Sequence, residues 1–271
     1  AEKEIQKSLK KPHKCEYEKT FYPFILFSKK RYIGYKYEFD IEKYKETSMG
    51  IVLKRRDNAK IVKHVYGGVI DKLLKEKNIN KSIEFINTEL NKLLDGKFPM
   101  DMLIITKSLR GFYKNPNQIA HKVLADRMGE RDPGNKPSSN DRIPYVYIET
   151  KESKNNKVLQ GDKIEHPQFI IENNIKPDYK FYITNQIMKP VGQIYSLIVE
   201  TLEGFKKPKD YYEHKYKYLL KTLDKEKAKT KISDEKFKDA SELVFGEVLR
   251  KATNKKNRAR EISDFFKVTG K

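Results

Sequence analysis

Two short stretches near the start of the chain hold the residue types that chemistry on a polyanion needs. The run KKRY, Lys29–Tyr32, sets three cations beside an aromatic ring. Asp40 and Glu42, in the run FDIE, are two residues apart, so on a strand their carboxylates would point to one face. Such a pair can hold a divalent metal for phosphodiester hydrolysis. The sequence therefore presents two candidate activities, holding a nucleic acid and cutting one.

The charge balance favours the first activity. The 271 residues include 58 Lys and Arg against 38 Asp and Glu, which gives a formal net charge of +20. Such an excess is typical of proteins with a polyanionic partner, nucleic acid before membrane. AT-biased coding is a second explanation of a composition this rich in Lys and Asn.

The single cysteine predicts a reducing compartment, and the hydropathy predicts no membrane-spanning segment. Cys15 is the only cysteine, so neither a disulfide framework nor a cysteine-based zinc site is expected. The best apolar run, Phe21–Phe27, is far shorter than the roughly 18 residues of a membrane span and predicts a buried strand. No secretory signal is visible and the histidines show no ligand spacing, so we expect an intracellular protein without a metal on this chain.

The spacing of apolar and aromatic residues predicts a chain that contains both strands and helices. Aromatic and β-branched runs indicate strands over 15–27, 31–37, 49–53, 102–109 and 143–149. Apolar residues at spacing four indicate helices over 61–73 and 79–94, and two more are expected over 177–188 and 190–202. The lysine-rich stretch 206–233 is more polar, and we expect a poorly ordered linker inside it. The predicted class is α+β.

The neighbourhood of the KKRY run resembles the palm of family B DNA polymerases. The stretch CEYEKTFYPFILFSKKRYIGYKYE (15–38) follows a family pattern of the type L-E-[FY]-E-K-x-[YF]-x-P-[FY]-L-x-x-x-K-K-R-Y. Blocks similar to the family's thumb follow in the same order, namely MGIVLKRRDN, LIITKSL, QIAHKVLADRMGERDPGNKPSSNDRIPYVYI and YITNQIMKPVGQIY. The resemblance spans about residues 1–199 and is strongest to polymerases of large DNA viruses and eukaryotes.

The resemblance implies roles for individual residues. It implies that the primer–template duplex is contacted by Lys29, Lys30, Arg31, Tyr32, Arg55, Arg56, Lys107, Arg131, Arg142 and Tyr145. For the RRDN quartet (55–58) an internal salt-bridge cluster is an equally good explanation, and Asp141 with Arg142 could equally clamp a turn. Glu18 is implied as an auxiliary residue near the metal site, with an exposed strand edge as the alternative.

The motifs that carry polymerase catalysis do not occur in the chain. The family holds its two metal ions with aspartates from D-x-x-S-L-Y-P and Y-G-D-T-D-S, and binds the nucleotide with K-x-x-x-N-S-x-Y-G. We expect these motifs upstream, in a part that carries the N-terminal, exonuclease, palm and finger regions. Mg²⁺ is then a cofactor of the complete enzyme, with none bound by this chain. FDIE resembles an exonuclease motif, but that domain precedes the palm in this family, so holding DNA is favoured over cutting it.

The last residues resemble a sliding-clamp-binding box, Q-x-x-[ILM]-x-x-[FY]-[FY]. Its three apolar positions are filled by Ile262, Phe265 and Phe266, and Ala259 stands where glutamine is usual. On one helical turn these side chains would fill a hydrophobic pocket of the clamp. The alternative is a terminal helix packed on its own domain.

The sequence as a whole predicts a small antiparallel palm-edge sheet followed by a mostly helical thumb. The expected domains are the palm edge (1–48), the thumb (49–204), a lysine-rich extension or linker (205–258) and the clamp-binding tail (259–271). The predicted function is the duplex-holding C-terminal portion of a DNA-directed DNA polymerase, in the nucleus or a viral replication compartment. The alternative is a non-catalytic DNA-binding or processivity subunit.

Overall fold

The computed structural model describes residues 2–150 and 159–256, and the chain divides into two compact units between Lys54 and Arg55. The sequence placed the first boundary after residue 48. The first unit contains one helix and one sheet: α1 (Glu2–Ser8), β1 (Thr20–Ser28), β2 (Arg31–Tyr37) and β3 (Tyr44–Met49).

The sheet of the first unit is antiparallel in the order β1-β2-β3. The central strand β2 buries Ile33 and Tyr35, as its aromatic and β-branched sequence predicts. The expectation that 21–27 is a buried strand is wrong, because β1 lies at the edge of this sheet and Tyr22 is 63% exposed. The expected strand over 49–53 is also wrong, because Gly50 has φ +62° and a 3₁₀ turn follows over Val52–Lys54.

The second unit is mainly helical and contains a second small sheet. Its elements in chain order are α2 (Lys60–Leu74), α3 (Ile79–Leu94), β4 (Ile105–Ser108), α4 (Ala120–Arg131), β5 (Arg142–Tyr147), β6 (Ile164–Glu165), α5 (Pro167–Glu172), α6 (Tyr179–Phe181), α7 (Met188–Ser196), α8 (Tyr211–Leu219) and α9 (Lys225–Lys256). The sheet is antiparallel in the order β4-β5-β6.

The helical core of this unit forms where α2, α3, α7 and α9 pack together. The apolar stripe of α2 is buried, as its spacing of four predicts. Helices α2 and α3 approach closely at Gly68, where a Cβ would lie 2.2 Å from Cζ of Phe85 and would displace that ring. Helix α3 begins where the side chain of Asn78 accepts a hydrogen bond from the Lys81 N–H at 2.9 Å.

One continuous helical run replaces the two helices expected over 177–188 and 190–202. It passes from α6 through a π-helical segment, Tyr182–Ile187, into α7, and the Met188 N–H bonds to the carbonyl of Ile183 five residues back. Pro190 therefore lies within α7 instead of beginning a new helix. The π-helical bonding pattern shifts the backbone partners just before the proline, which itself has no N–H to donate.

The expectation of a poorly ordered linker within 206–233 is wrong. Helix α8 and the first part of the 32-residue helix α9 occupy this stretch. Helix α9 buries Ala228, Ala240, Val244, Phe245 and Val248, so a thin apolar stripe holds it to the core. The α+β class is confirmed. No helix within 2–150 or 159–256 is both long and apolar enough to cross a membrane.

Candidate nucleic-acid interface

The turn between β1 and β2 presents two unpaired lysines. Ser28 lies opposite Arg31 in the ladder, which leaves Lys29 and Lys30 as a two-residue connection. Both are exposed, and within the described residues neither ammonium group has a carboxylate partner. Lys30 has φ +63°, a left-handed conformation that is costly for a residue with a Cβ. The hairpin thus holds two free charges at its tip.

The surroundings of this turn fix its shape. A Cβ at Gly50 would lie 2.4 Å from the carbonyl oxygen of Lys30, so only glycine fits beside the turn. The ring of Tyr32 packs on Phe21 and Phe24, with centroids 5.7 and 5.6 Å away. The Arg31 guanidinium lies over Phe27 at 5.9 Å from the ring centroid. Arg31 and Tyr32 are therefore half-buried supports, whereas the two lysines project.

The RRDN quartet separates two adjacent arginines. Arg55 donates two hydrogen bonds to Asp57, at 3.0 and 2.8 Å, and Lys107 donates to the same carboxylate at 3.0 Å. The hydrogen bond from Arg55, above all, holds the pKa of Asp57 well below its usual range. Arg56 is exposed and has no carboxylate partner in the part of the chain that the structure describes. The salt-bridge explanation thus applies to Arg55, Asp57 and Lys107, and Arg56 is a free cation.

Arg142, at the beginning of β5, carries a charge that no described carboxylate neutralises. Its guanidinium donates to the Thr106 hydroxyl at 2.8 Å, the Thr106 carbonyl at 3.3 Å and the Ser108 hydroxyl at 3.3 Å. Asp141 instead accepts hydrogen bonds from the N–H and hydroxyl of Ser138, at 2.8 and 3.0 Å, so it clamps the preceding turn. Arg142 is thus oriented by neutral groups and keeps its positive charge at the surface.

Arg131 and Tyr145 lie where they support the fold. Arg131 donates to both carboxylate oxygens of Glu165 at 3.1 Å, and Glu165 is only 3% exposed. The guanidinium also lies 3.6 Å from the ring centroid of Phe169. Tyr145 is 5% exposed, and its ring meets that of Tyr147 edge to face at 5.8 Å. Neither side chain projects in the way that Lys29 and Lys30 do.

The loop after β4 holds three exposed residues that the sequence reading missed. Phe112 is 82% exposed, and the cations of Arg110 and Lys114 on either side have no described carboxylate partner. The hydroxyl of Tyr113 anchors the loop, since it accepts from the Arg110 N–H at 2.8 Å and lies 3.0 Å from Nε2 of His121. The available signal was the run RGFYK, in which cations flank aromatic residues.

The carboxylates proposed for metal chemistry do not converge. Asp40 and Glu42 lie in a turn, not on a strand, and Asp40 accepts the Glu42 N–H at 2.9 Å and pairs with Lys43 at 3.1 Å. The carboxylate of Glu18 is ion-paired with Lys19 at the surface. Within 2–150 and 159–256, no three His, Cys, Asp or Glu side chains come together as a metal site would require. Asp40, Glu42 and Glu18 therefore do not form a catalytic metal site on this chain.

The residues of the proposed clamp-binding tail, Ile262, Phe265 and Phe266, lie outside the described residues.

Comparison with known proteins agrees with the motifs. A family model described as DNA polymerase family B matches residues 1–198. The DNA polymerase of Pyramimonas orientalis virus is 56% identical over 269 residues, covering 98% of this chain and 22% of the relative. The DNA polymerase of Acanthamoeba polyphaga mimivirus is 49% identical over 245 residues, covering 90% of this chain and 14% of the relative.

More distant relatives extend the match to eukaryotes and to a solved structure. The DNA polymerase delta catalytic subunit of Caenorhabditis elegans is 36% identical over 200 residues, covering 73% of this chain and 18% of the subunit. The family B DNA polymerase from the hyperthermophilic archaeon Pyrobaculum calidifontis shares the fold, with a TM-score of 0.52 and 19% identity over 76% of this chain and 25% of that structure. The chain thus spans a quarter or less of each of these four proteins, and it belongs to DNA polymerase family B.

Proposed function

We propose that this chain is the part of a DNA-directed DNA polymerase that holds the primer–template duplex. The observation that carries the proposal is the β1–β2 turn, where Lys29 and Lys30 project without a described carboxylate partner. Cations held in this way can neutralise phosphates of the backbone without reading the bases. Such contacts suit an enzyme that must advance along any sequence.

The other projecting cations extend this proposal to the second unit. Within 2–150 and 159–256, no carboxylate pairs with Arg56 or Arg142, nor with Arg110 and Lys114 on either side of the exposed Phe112. We assign phosphate contacts to these residues. Arg55, Lys107, Arg131 and Tyr145 then act indirectly, through the ion pairs and packing that hold the second unit in place.

The complete polymerase supplies what this chain lacks. In the proposed assignment, 1–48 is the edge of the palm, 49–204 the thumb and 205–258 its lysine-rich extension. Nucleotide transfer would use Mg²⁺ held by an upstream part, at a nuclear or viral replication site. The tail with Ile262, Phe265 and Phe266 would bind a sliding clamp, and its apolar spacing supports that assignment. Glu18 would at most assist the upstream metal site.

The test is fluorescence anisotropy of the 271-residue chain with a labelled primer–template duplex at about 50 and about 200 mM salt. The Lys29→Ala/Lys30→Ala variant should bind more weakly, and the slope of log K against log salt should fall by about 2 if each lysine neutralises one phosphate. Lys10→Ala/Lys11→Ala removes the same charge from another exposed lysine pair and serves as the control. An equal loss in both variants would show that the turn is not a binding site.

A further inference from the structure

A second surface, beyond the residues that the family model matches, also has the composition of a nucleic-acid site. The match to the model of DNA polymerase family B ends at residue 198. The following segment, 206–221, contains six lysines, four tyrosines and a histidine against two carboxylates. Interleaved cations and aromatic rings are the residue types with which proteins bind single strands.

These residues form a groove along α8. It has a volume of about 540 Å³ and is lined by Pro208, Lys209, Tyr211, His214, Lys215 and Tyr218. The ring of Tyr218 is 65% exposed, so a flat apolar surface is open to solvent beside the cations. Within the described residues the ammonium group of Lys209 has no carboxylate partner.

Helix α9 fixes one side of the groove with its own carboxylates. Glu235 accepts from the Tyr211 hydroxyl at 2.9 Å and pairs with Lys215 at 2.7 Å. Asp239 accepts from the Tyr212 hydroxyl at 2.6 Å. These bonds hold α8 against α9 through Tyr211 and Tyr212. Tyr211 and Lys215, which line the groove, are therefore positioned before any ligand binds.

The acidic residues of the segment do not line the groove. Glu213 is paired with Lys217 at 2.6 Å, and neither Glu213 nor Asp210 is among the lining residues. Nδ1 of His214 donates to the carbonyl of Asp210 at 2.9 Å, which orients the imidazole ring at the groove. The groove therefore combines the exposed ring of Tyr218 with the ammonium group of Lys209, which can donate to an anion.

We propose that this groove binds single-stranded nucleic acid, with an unpaired base stacked on Tyr218 and a backbone phosphate held by Lys209. In a duplex both faces of a base are covered by its neighbours, so an exposed ring on a helix selects unpaired bases. Lys209 supplies the sequence-independent electrostatic attraction. The proposal rests on α8, on Lys209 just before it and on their contacts with α9, and it does not depend on duplex binding by the β1–β2 turn.

Two probes of equal length separate stacking from charge. One is a labelled twelve-nucleotide oligo(dT), and the other is a labelled strand of abasic deoxyribose phosphates. Tyr218→Ala should weaken oligo(dT) binding about tenfold, the order of one stacked base, and leave the abasic strand unaffected. Tyr218→Phe keeps the ring and should bind oligo(dT) as the original chain does.

Lysine variants supply the matched charge control. Lys209→Ala should weaken binding of both probes and lower the salt slope by about 0.7, the value for one phosphate of a single strand. Lys97→Ala removes an exposed lysine outside the groove lining and should change neither. An unchanged oligo(dT) affinity in Tyr218→Ala, or an equal loss for both probes, would overturn the proposal. Duplex binding that still depends on Lys29 and Lys30 would leave the first proposal intact.

Discussion

Arg131 is the residue for which a DNA contact and a structural role predict different outcomes. Its guanidinium donates to both oxygens of the buried Glu165 at 3.1 Å and packs on Phe169. The change Arg131→Ala leaves a carboxylate that is 3% exposed without its main partner. We therefore expect this variant to lose stability first, and to lose DNA affinity only as far as folding is affected.

The magnitude follows from the surroundings of Glu165. Removing one partner of a buried ion pair costs about 3–5 kcal/mol. The Arg131 side chain is 36% exposed, so water screens part of the interaction. Nε of Arg127 remains 3.6 Å from the carboxylate, and the His166 N–H still donates to it at 2.8 Å. We expect a loss of about 2 kcal/mol for Arg131→Ala, and about 1 kcal/mol for Arg131→Lys, which keeps the charge without the bidentate geometry.

Urea unfolding followed by circular dichroism measures this loss. The control is Arg55→Ala, because that side chain is 64% exposed and its pair with Asp57 should contribute at most about 1 kcal/mol. The reasoning is refuted if Arg131→Ala unfolds at the same urea concentration as the original chain yet binds duplex DNA with a smaller salt slope. That result would make Arg131 a phosphate contact.

Two further predictions concern stability. Gly68→Ala would place a Cβ 2.2 Å from Cζ of Phe85 and should cost about 1–3 kcal/mol, whereas Gly246→Ala meets nothing within 4 Å and should add about 0.5–1 kcal/mol. Comparing their urea midpoints tests this, and an equal shift in both would contradict it. Burial raises the pKa of Glu235, but hydrogen bonds from two lysines and a tyrosine outweigh it and lower the pKa to about 2. Because a lowered pKa stabilises the fold above about pH 4.5 and the gain is lost as the pH falls toward 2, Glu235→Gln should cost about 2 kcal/mol at pH 7 and almost nothing at pH 2. A loss independent of pH in urea titrations would exclude this ion-pair network as its source.

Local signals in the sequence predict much of the fold. The sequence predicts helix α3 with the observed bounds, Ile79–Leu94, because its apolar pattern is followed by Gly96. Strand β2 and its turn follow from the aromatic pattern and the polar residues before it. Helix α9 was missed because its apolar stripe is sparse, with Ala228 and Ala240 among the few buried residues of its first half. Its stability comes from packing against α7, which a single sequence does not display.

The candidate site was predicted by residue type but not by role. Arg55 and Arg56 are neighbours of the same type in the sequence. Only the fold shows that Asp57 pairs with Arg55, whereas no carboxylate among the described residues pairs with Arg56. Tyr145 reads as a surface residue beside Arg142, yet it lies in the buried pattern of β5. The exposure of Phe112 does not follow from the sequence, because the run RGFYK is too short to show a periodicity.

The contact between Gly68 and Phe85 also constrains how this chain can change its sequence. A side chain at position 68 requires the ring of Phe85 to move, because the two helices meet at that point. A smaller residue at 85 would open space for alanine at 68, so the two changes should be strongly non-additive. The order of the two substitutions therefore sets how stable the intermediate protein is, and the change at position 85 is expected to be tolerated better when it comes first.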